Sequence, residues 1–202
     1  LKPKTKNIIF DFGGVLIHWD PRLLYREYFR DKQAMEYFLR EICTSAWNHR
    51  QDEGQSLREG TEELVLQYPG FEEPIRMFYD QWIKMIGGEI LENTRLIPDL
   101  KAKYGLFGLT NWSAETLPLV RDKHDFFDQM EGIVVSGEEK AAKPDPVLYR
   151  TLLQRYSLQA EECLFIDDTQ INTKSAQDLG FQTLHYAAGL NLEVALKERG
   201  IL

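Results

Sequence analysis

Asn7-Ile8-Ile9-Phe10-Asp11-Phe12-Gly13-Gly14-Val15 is an apolar run that ends on a carboxylate and turns at once through two glycines. A short Ile/Phe run with little polar alternation is expected to form a strand buried on both faces, the kind found inside a parallel sheet. Asp11 then falls at the carboxyl end of that strand, where open α/β sheets place their ligands. Taken alone the segment also suits an ordinary βα turn, so the rest of the chain decides.

Three later segments share the pattern of a polar residue at or just after a strand end or turn. They are Leu109-Thr110-Asn111, Lys143-Pro144-Asp145-Pro146, and Phe165-Ile166-Asp167-Asp168 followed by Asn172. Around them the pattern predicts a helix over 93–103, a strand over 105–110, a helix over 113–122 and a strand over 132–136. A helix over 146–156, a strand over 162–167, a helix over 170–179, a strand over 181–186 and a helix over 191–199 follow. Such alternation implies a parallel sheet with helices on both faces.

One long interruption separates Asp11 from Thr110 and carries almost no strand signal. Its apolar spacing, as in Leu23, Leu24, Tyr28 and Phe29 or Leu64, Val65 and Tyr68, has the helical period. Helices are expected near 21–30, 32–43, 56–68 and 71–86, the first opened by Asp20 as N-cap and Pro21 at the first helical position. The expected division is a catalytic core of residues 1–17 and 92–202 with a helical insertion over 18–91.

The 202 residues suffice for one core carrying a smaller insertion, and a charged share of 28% is ordinary for a globular chain. A net charge of -8 argues against nucleic acid, whose binding needs a basic surface. It leaves room for a small phosphate, because a divalent cation and one lysine make a local positive site inside an acidic protein. No apolar run approaches the roughly 20 residues that span a bilayer, and the first residues form no signal-peptide core. A cytoplasmic protein with no membrane partner, as a monomer or weak dimer, is therefore the expectation. Cys43 and Cys163 fall in different predicted elements with no partner motif, and are expected to be small buried side chains.

In order and context the four segments resemble the haloacid dehalogenase-like hydrolase superfamily, over Asn7 to about Tyr186. The closest likeness is to its small phosphatases with an Asp-x-Gly-x-Val first motif. The resemblance implies a Rossmann-like, three-layer α/β/α core with a helical cap that closes over the active site and sets substrate choice. It also implies that Asp11 is a nucleophile forming an aspartyl phosphate, a route that splits a difficult hydrolysis into two easier steps. Mg²⁺ would be held by Asp11, the backbone carbonyl of Gly13 and Asp168, with Asp167 in or just outside that shell. Lys143 would offset charge on the phosphoryl oxygens, while Thr110 and the amides of Gly14 and Asn111 complete the cradle. The expected activity is Mg²⁺-dependent hydrolysis of a phosphomonoester of a small metabolite, a sugar phosphate being the leading guess.

Gly13 departs from the pattern. Superfamily phosphatases usually carry a second Asp there, which acts as general acid and base; glycine keeps the carbonyl and loses the proton carrier. Such assistance is worth about 10² to 10⁴ in rate. His18, seven residues past Asp11, is one candidate replacement because imidazole as a side-chain type can both give and take a proton, and Asp20 is another. In the expected cap, Trp47-Asn48-His49-Arg50-Gln51-Asp52-Glu53-Gly54 resembles the Trp-x-x-x-x-Asp-x-Gly stretch of related caps, with Trp47 as cap core and His49 and Arg50 as possible substrate contacts. Two other readings compete. A 2-haloacid dehalogenase tolerates Gly13 but has no use for Asp167-Asp168 as a metal site, and a weakly catalytic binding protein has no need of Asp11, Thr110, Lys143 and Asp168 together. A phosphonate hydrolase would need a cap lysine, and Lys32 and Lys84 sit in no motif.

Overall fold

The computed structural model describes residues 4–202; residues 1–3 of the expected core segment lie outside the described residues. A five-stranded sheet in the order β5-β4-β1-β6-β7 forms its centre. The strands are β1 (Asn7–Phe10), β4 (Gly105–Thr110), β5 (Gly132–Val135), β6 (Cys163–Asp167) and β7 (Gln182–His185). All four pairings are parallel. The opening run lies in the middle of this sheet, flanked by β4 and β6, which explains why its side chains lack polar alternation. Ile8 and Phe10 enter one apolar cluster with Phe12, while Ile9 enters another with Leu109, Leu148, Tyr149 and Phe165. Each fully buried side chain of this size contributes about 1.5–3 kcal/mol of transfer free energy.

Between β1 and β4 the chain leaves the sheet through β2 (Ile17–Trp19) and returns through β3 (Ile86–Glu89), which pair antiparallel. Five helices lie between: α1 (Arg22–Tyr28), α2 (Lys32–Glu41), α3 (Ser45–Asp52), α4 (Leu57–Gln67) and α5 (Glu72–Asp80). The hairpin stem was not legible, because strands of three and four residues, one of them Ile86-Gly87-Gly88-Glu89, carry no period-2 signal. Nor was α3, whose Ser-Ala-Trp-Asn-His-Arg-Gln-Asp has no apolar stripe. At three of these five helix starts the side chain of Asp31, Thr44 or Ser56 accepts a backbone N–H from the first turn. Asp20 accepts the Arg22 N–H at 2.9 Å, one residue before the capping position that Pro21 occupies.

After β3, the helix expected over 93–103 divides into α6 (Leu91–Thr94) and α7 (Ile97–Lys101), with Pro98 opening the second. The one expected over 113–122 shrinks to α8 (Pro118–Arg121). Trp112 and Glu115 are instead held in a turn by the side chains of Ser136 and Ser113. The short α9 (Ser136–Glu139) follows β5, and α10 (Pro146–Arg155), α11 (Gln170–Asp178) and α12 (Leu192–Glu198) fall close to their expected spans. Asp145 caps α10 by accepting the Val147 N–H. No described helix is long and apolar enough to cross a membrane. Cys43 and Cys163 are buried and unpaired.

Candidate active site

Parallel pairing brings the carboxyl ends of three adjacent strands together. Phe10 is in register with Gly108 on one side and Ile166 on the other, so Asp11 and Asp167 emerge level with each other and Thr110 follows one residue further along β4. The Asp11 N–H continues the ladder by donating to the Ile166 carbonyl at 2.9 Å.

Lys143 reaches this point from the turn before α10, and its ammonium is fully buried. It lies 2.9 Å from Asp11 Oδ2 and 2.7 Å from Asp167 Oδ2. Asn111 sets the height of the lysine: its side-chain amide donates to the Lys143 carbonyl and its oxygen accepts the Lys143 N–H, each at 2.8 Å. Sequence reasoning gave Asn111 a backbone role toward substrate; its side chain serves to hold the lysine turn. Asp167 is saturated, since Lys143 and Asn172 donate to Oδ2 while Thr169 N–H and Asn172 donate to Oδ1. That network makes Asp167 the lysine's anchor more than a free ligand.

The carboxylates of Asp11, Asp167 and Asp168 can each present an oxygen within 4.8 Å of the others. Burial raises the Asp11 pKa; the Lys143 ammonium opposes this, and the charges of Asp167 and Asp168 add to it. Burial disfavours the lysine's charge as well, yet its two carboxylate partners win and its pKa rises. One cation facing three carboxylates leaves the cluster short of positive charge, and a hard divalent ion suits oxygen ligands of this kind. Of the three, Asp168 is the exposed one, with its pKa raised chiefly by desolvation and then by Asp167. It packs on Gly14, which has φ +75°; a Cβ there would fall on the Asp168 carboxylate. Gly13 differs, because a Cβ at that position would meet no atom within 4 Å. Thr110, buried at the end of β4, leaves its Oγ1 without a hydrogen-bond partner among the described residues.

A cavity of about 240 Å³ opens above this cluster. Asp11, Gly13, Gly14, Asn111 and Asp168 form its floor, and Trp19, Asn48, Asp52, Trp82 and Trp112 its remaining walls. His18 does not line it. The ring is exposed on β2 and lies over Gly87 of the paired strand, while its neighbour Trp19 takes the cavity wall. His49 and Arg50 also stay outside, facing Glu53 at 3.6 Å and Glu63 at 3.2 Å, and Trp47 is buried in the helical insertion. The side chains of α3 that do face the cavity are Asn48 and Asp52, four apart and thus on one face. Reading the stretch as a helix from Thr44 would have found them.

Comparison with known proteins gives a family and relatives along the whole chain. The haloacid dehalogenase-like hydrolase family profile matches residues 5–180. The sesquiterpene phosphatase astK of Aspergillus oryzae is 27% identical over 197 residues, which span 96% of this chain and 95% of that protein. D-ribitol-5-phosphate phosphatase of Bacteroides thetaiotaomicron is 26% identical over 202 residues, spanning 88% of this chain and 90% of that protein. Among solved structures, a HAD family enzyme of Bacteroides thetaiotaomicron in complex with magnesium and inorganic phosphate shares the fold. Its TM-score is 0.75 at 24% identity, over 95% of this chain and 98% of that one.

Proposed function

The chain belongs to the haloacid dehalogenase-like hydrolase family, and we propose that it is a Mg²⁺-dependent phosphatase acting on the monoester of a small metabolite. The observation that carries this reading is the buried Lys143 ammonium shared by Asp11 and Asp167, with Asp168 at the mouth of the same cluster. Asp11 is the nucleophile: its carboxylate attacks phosphorus, the ester oxygen departs, and water then hydrolyses the aspartyl phosphate. Lys143 holds Asp11 in place and compensates charge on the phosphoryl group. The Thr110 hydroxyl, which has no partner among the described residues, would donate to a phosphoryl oxygen; the Gly14 amide expected beside it is instead taken by the Ile17 carbonyl at 2.9 Å.

Asp11, Asp168 and the carbonyl of Gly13 are the groups that would hold Mg²⁺, with Asp167 behind them fixing Lys143. When bound, the ion supplies the positive charge the carboxylate cluster lacks and draws electron density from the phosphoryl oxygens. Residues 18–91 act as the cap, its hairpin stem standing beside Asp11 and its α3 covering the cavity. Three indoles with Asn48 and Asn111 suit a small organic body, and the cavity is too small for a macromolecule. The two phosphatase relatives support an alcohol phosphate as the substrate class. The dehalogenase reading is weaker, because nothing in carbon–halogen cleavage calls for three clustered carboxylates.

Phosphate release from sugar, sugar-alcohol and isoprenoid monophosphates, with Mg²⁺ and with chelator, tests the proposal alongside halide release from 2-chloropropionate. Metal-dependent phosphate release is expected, and Asp11→Asn should lower it by about 10³-fold or more while the circular dichroism spectrum stays unchanged. Halide release indifferent to chelator would replace this reading with a dehalogenase.

A further inference from the structure

Breaking the ester bond of an alcohol phosphate expels an alkoxide, a strong base that leaves readily only if it is protonated as it departs. The titratable side chains lining the cavity are Asp11, Asp52 and Asp168. Asp11 and Asp168 belong to the carboxylate cluster on the floor, and Lys143 lies beneath, occupied by Asp11 and Asp167. Asp52 alone of the three comes from the helical insertion, which would cover the body of a substrate whose phosphate rests on the floor.

Asp52 is the last residue of α3 and is fixed in place from two sides. Asn48, one turn earlier, donates its side-chain amide to Asp52 Oδ2 at 2.8 Å, and the backbone N–H of Ser113 in the turn after β4 favours the same carboxylate's charged form. The Asp52 carbonyl in turn accepts the Ser136 hydroxyl at the start of α9. A carboxyl on the helical insertion is thus anchored to the two core segments that follow β4 and β5.

We infer that Asp52 is the general acid and base of the reaction, supplying from the cap the proton carrier that Gly13 cannot provide. The assignment rests on the phosphatase reading. In the first step Asp11 Oδ forms a bond to phosphorus, the bond from phosphorus to the ester oxygen breaks, and that oxygen takes its electron pair and the Asp52 proton to leave as the alcohol. In the second, water attacks the aspartyl phosphate and passes a proton to the Asp52 carboxylate. Inorganic phosphate and the Asp11 carboxylate are released, and Asp52 is again protonated.

The surroundings suit the role. Burial pushes the Asp52 carboxyl up to about 7, against the Ser113 N–H and helped by Glu53. An acid of this strength is half protonated near neutral pH, where a group that must both give and take a proton works best. The charged and titratable groups around it are Glu53 on its own segment and Tyr79 on α5, which is itself acted on by Arg50, two residues before Asp52, and by Glu115 after β4, with Asp11 and Asp168 lining the same cavity.

The test uses the full chain with Mg²⁺ and two esters of similar size, phenyl phosphate and 4-nitrophenyl phosphate, whose leaving groups differ in basicity. Asp52→Asn keeps the side-chain volume and an acceptor for Ser113. It should lower kcat/KM, which reports the step that expels the leaving group, by about 10² to 10⁴ for phenyl phosphate and by less than about tenfold for 4-nitrophenyl phosphate. The fall of wild-type kcat/KM as pH rises through about 7 should disappear in the variant. Equal losses on both esters, or none, would overturn the assignment and leave Asp52 as an anchor between cap and core. Wild-type protein that releases phosphate from neither ester overturns the phosphatase reading itself, and the assignment with it. Should Asp52→Asn fail to fold, the open space at Gly13 offers a second route. In a Gly13→Asp background, which has its own acid, Asp52→Ser should cost less than about tenfold on phenyl phosphate, whereas an undiminished cost argues against proton transfer by Asp52.

Discussion

Lys143 carries a full charge into the centre of the molecule, and its two partners carry charges of the opposite sign at 2.9 and 2.7 Å. Removing one member of such a group leaves the others buried without compensation, at a cost of about 3–5 kcal/mol. Lys143→Met, which preserves most of the volume, should therefore lower the unfolding free energy by about that amount in chelator. Urea denaturation checks it, and a loss under about 1 kcal/mol would mean that the carboxylates simply take up protons. The residue types at this centre were legible, since Asp11, Thr110, Lys143 and Asp167-Asp168 stand at strand ends and turns that local patterns reveal. Their division of labour was not: the saturation of Asp167 depends on Asn172 and Thr169, and the service of Asn111 to Lys143 spans 32 residues. His18 shows the opposite failure. A histidine close to Asp11 in sequence was an attractive proton donor, yet strand alternation sends Trp19 to the cavity and His18 to the outer face.

Among the elements, α3 matters most to the site and had the weakest signal. It has eight residues with Trp47 and Gln51 buried inward, Asn48 and Asp52 toward the cavity, and His49 and Arg50 outward. Three destinations for three faces leave no simple hydrophobic stripe for periodicity to find. Its start is set by Thr44, whose hydroxyl accepts the Trp47 N–H at 3.0 Å. Thr44→Ala should cost about 1 kcal/mol, seen as a fall in melting temperature of about 2–4 °C. An unchanged melting temperature would show that tertiary contacts alone hold the helix. The core strands behave differently, because a central parallel strand is covered on both faces and its composition alone declares it.

For the whole molecule, an ion held at the carboxylate cluster, as proposed, would couple metal binding to stability. An ion that binds the folded chain alone stabilises it by about 2.7 kcal/mol at one hundred times its Kd. For a chain of this size that is a rise in melting temperature of about 5–10 °C. Differential scanning fluorimetry with and without Mg²⁺ should record the rise, and Asp168→Ala should remove most of it. A shift of the same size in that variant would place the ion elsewhere.

The sequence by itself determined the parallel sheet, the helical interruption and the set of carboxylates, lysine and threonine at the strand ends. These follow from properties that neighbouring residues carry together: an unbroken apolar run, a turn, a helical period. Only the tertiary structure decided that α3 faces the cavity, that Asp52 lines the same cavity as Asp11, that His18 turns away and that Asp167 is committed to Lys143. Each of those facts depends on how segments far apart in the chain close on one another. The direction in which a polar side chain points is fixed by that packing, and no local pattern records it.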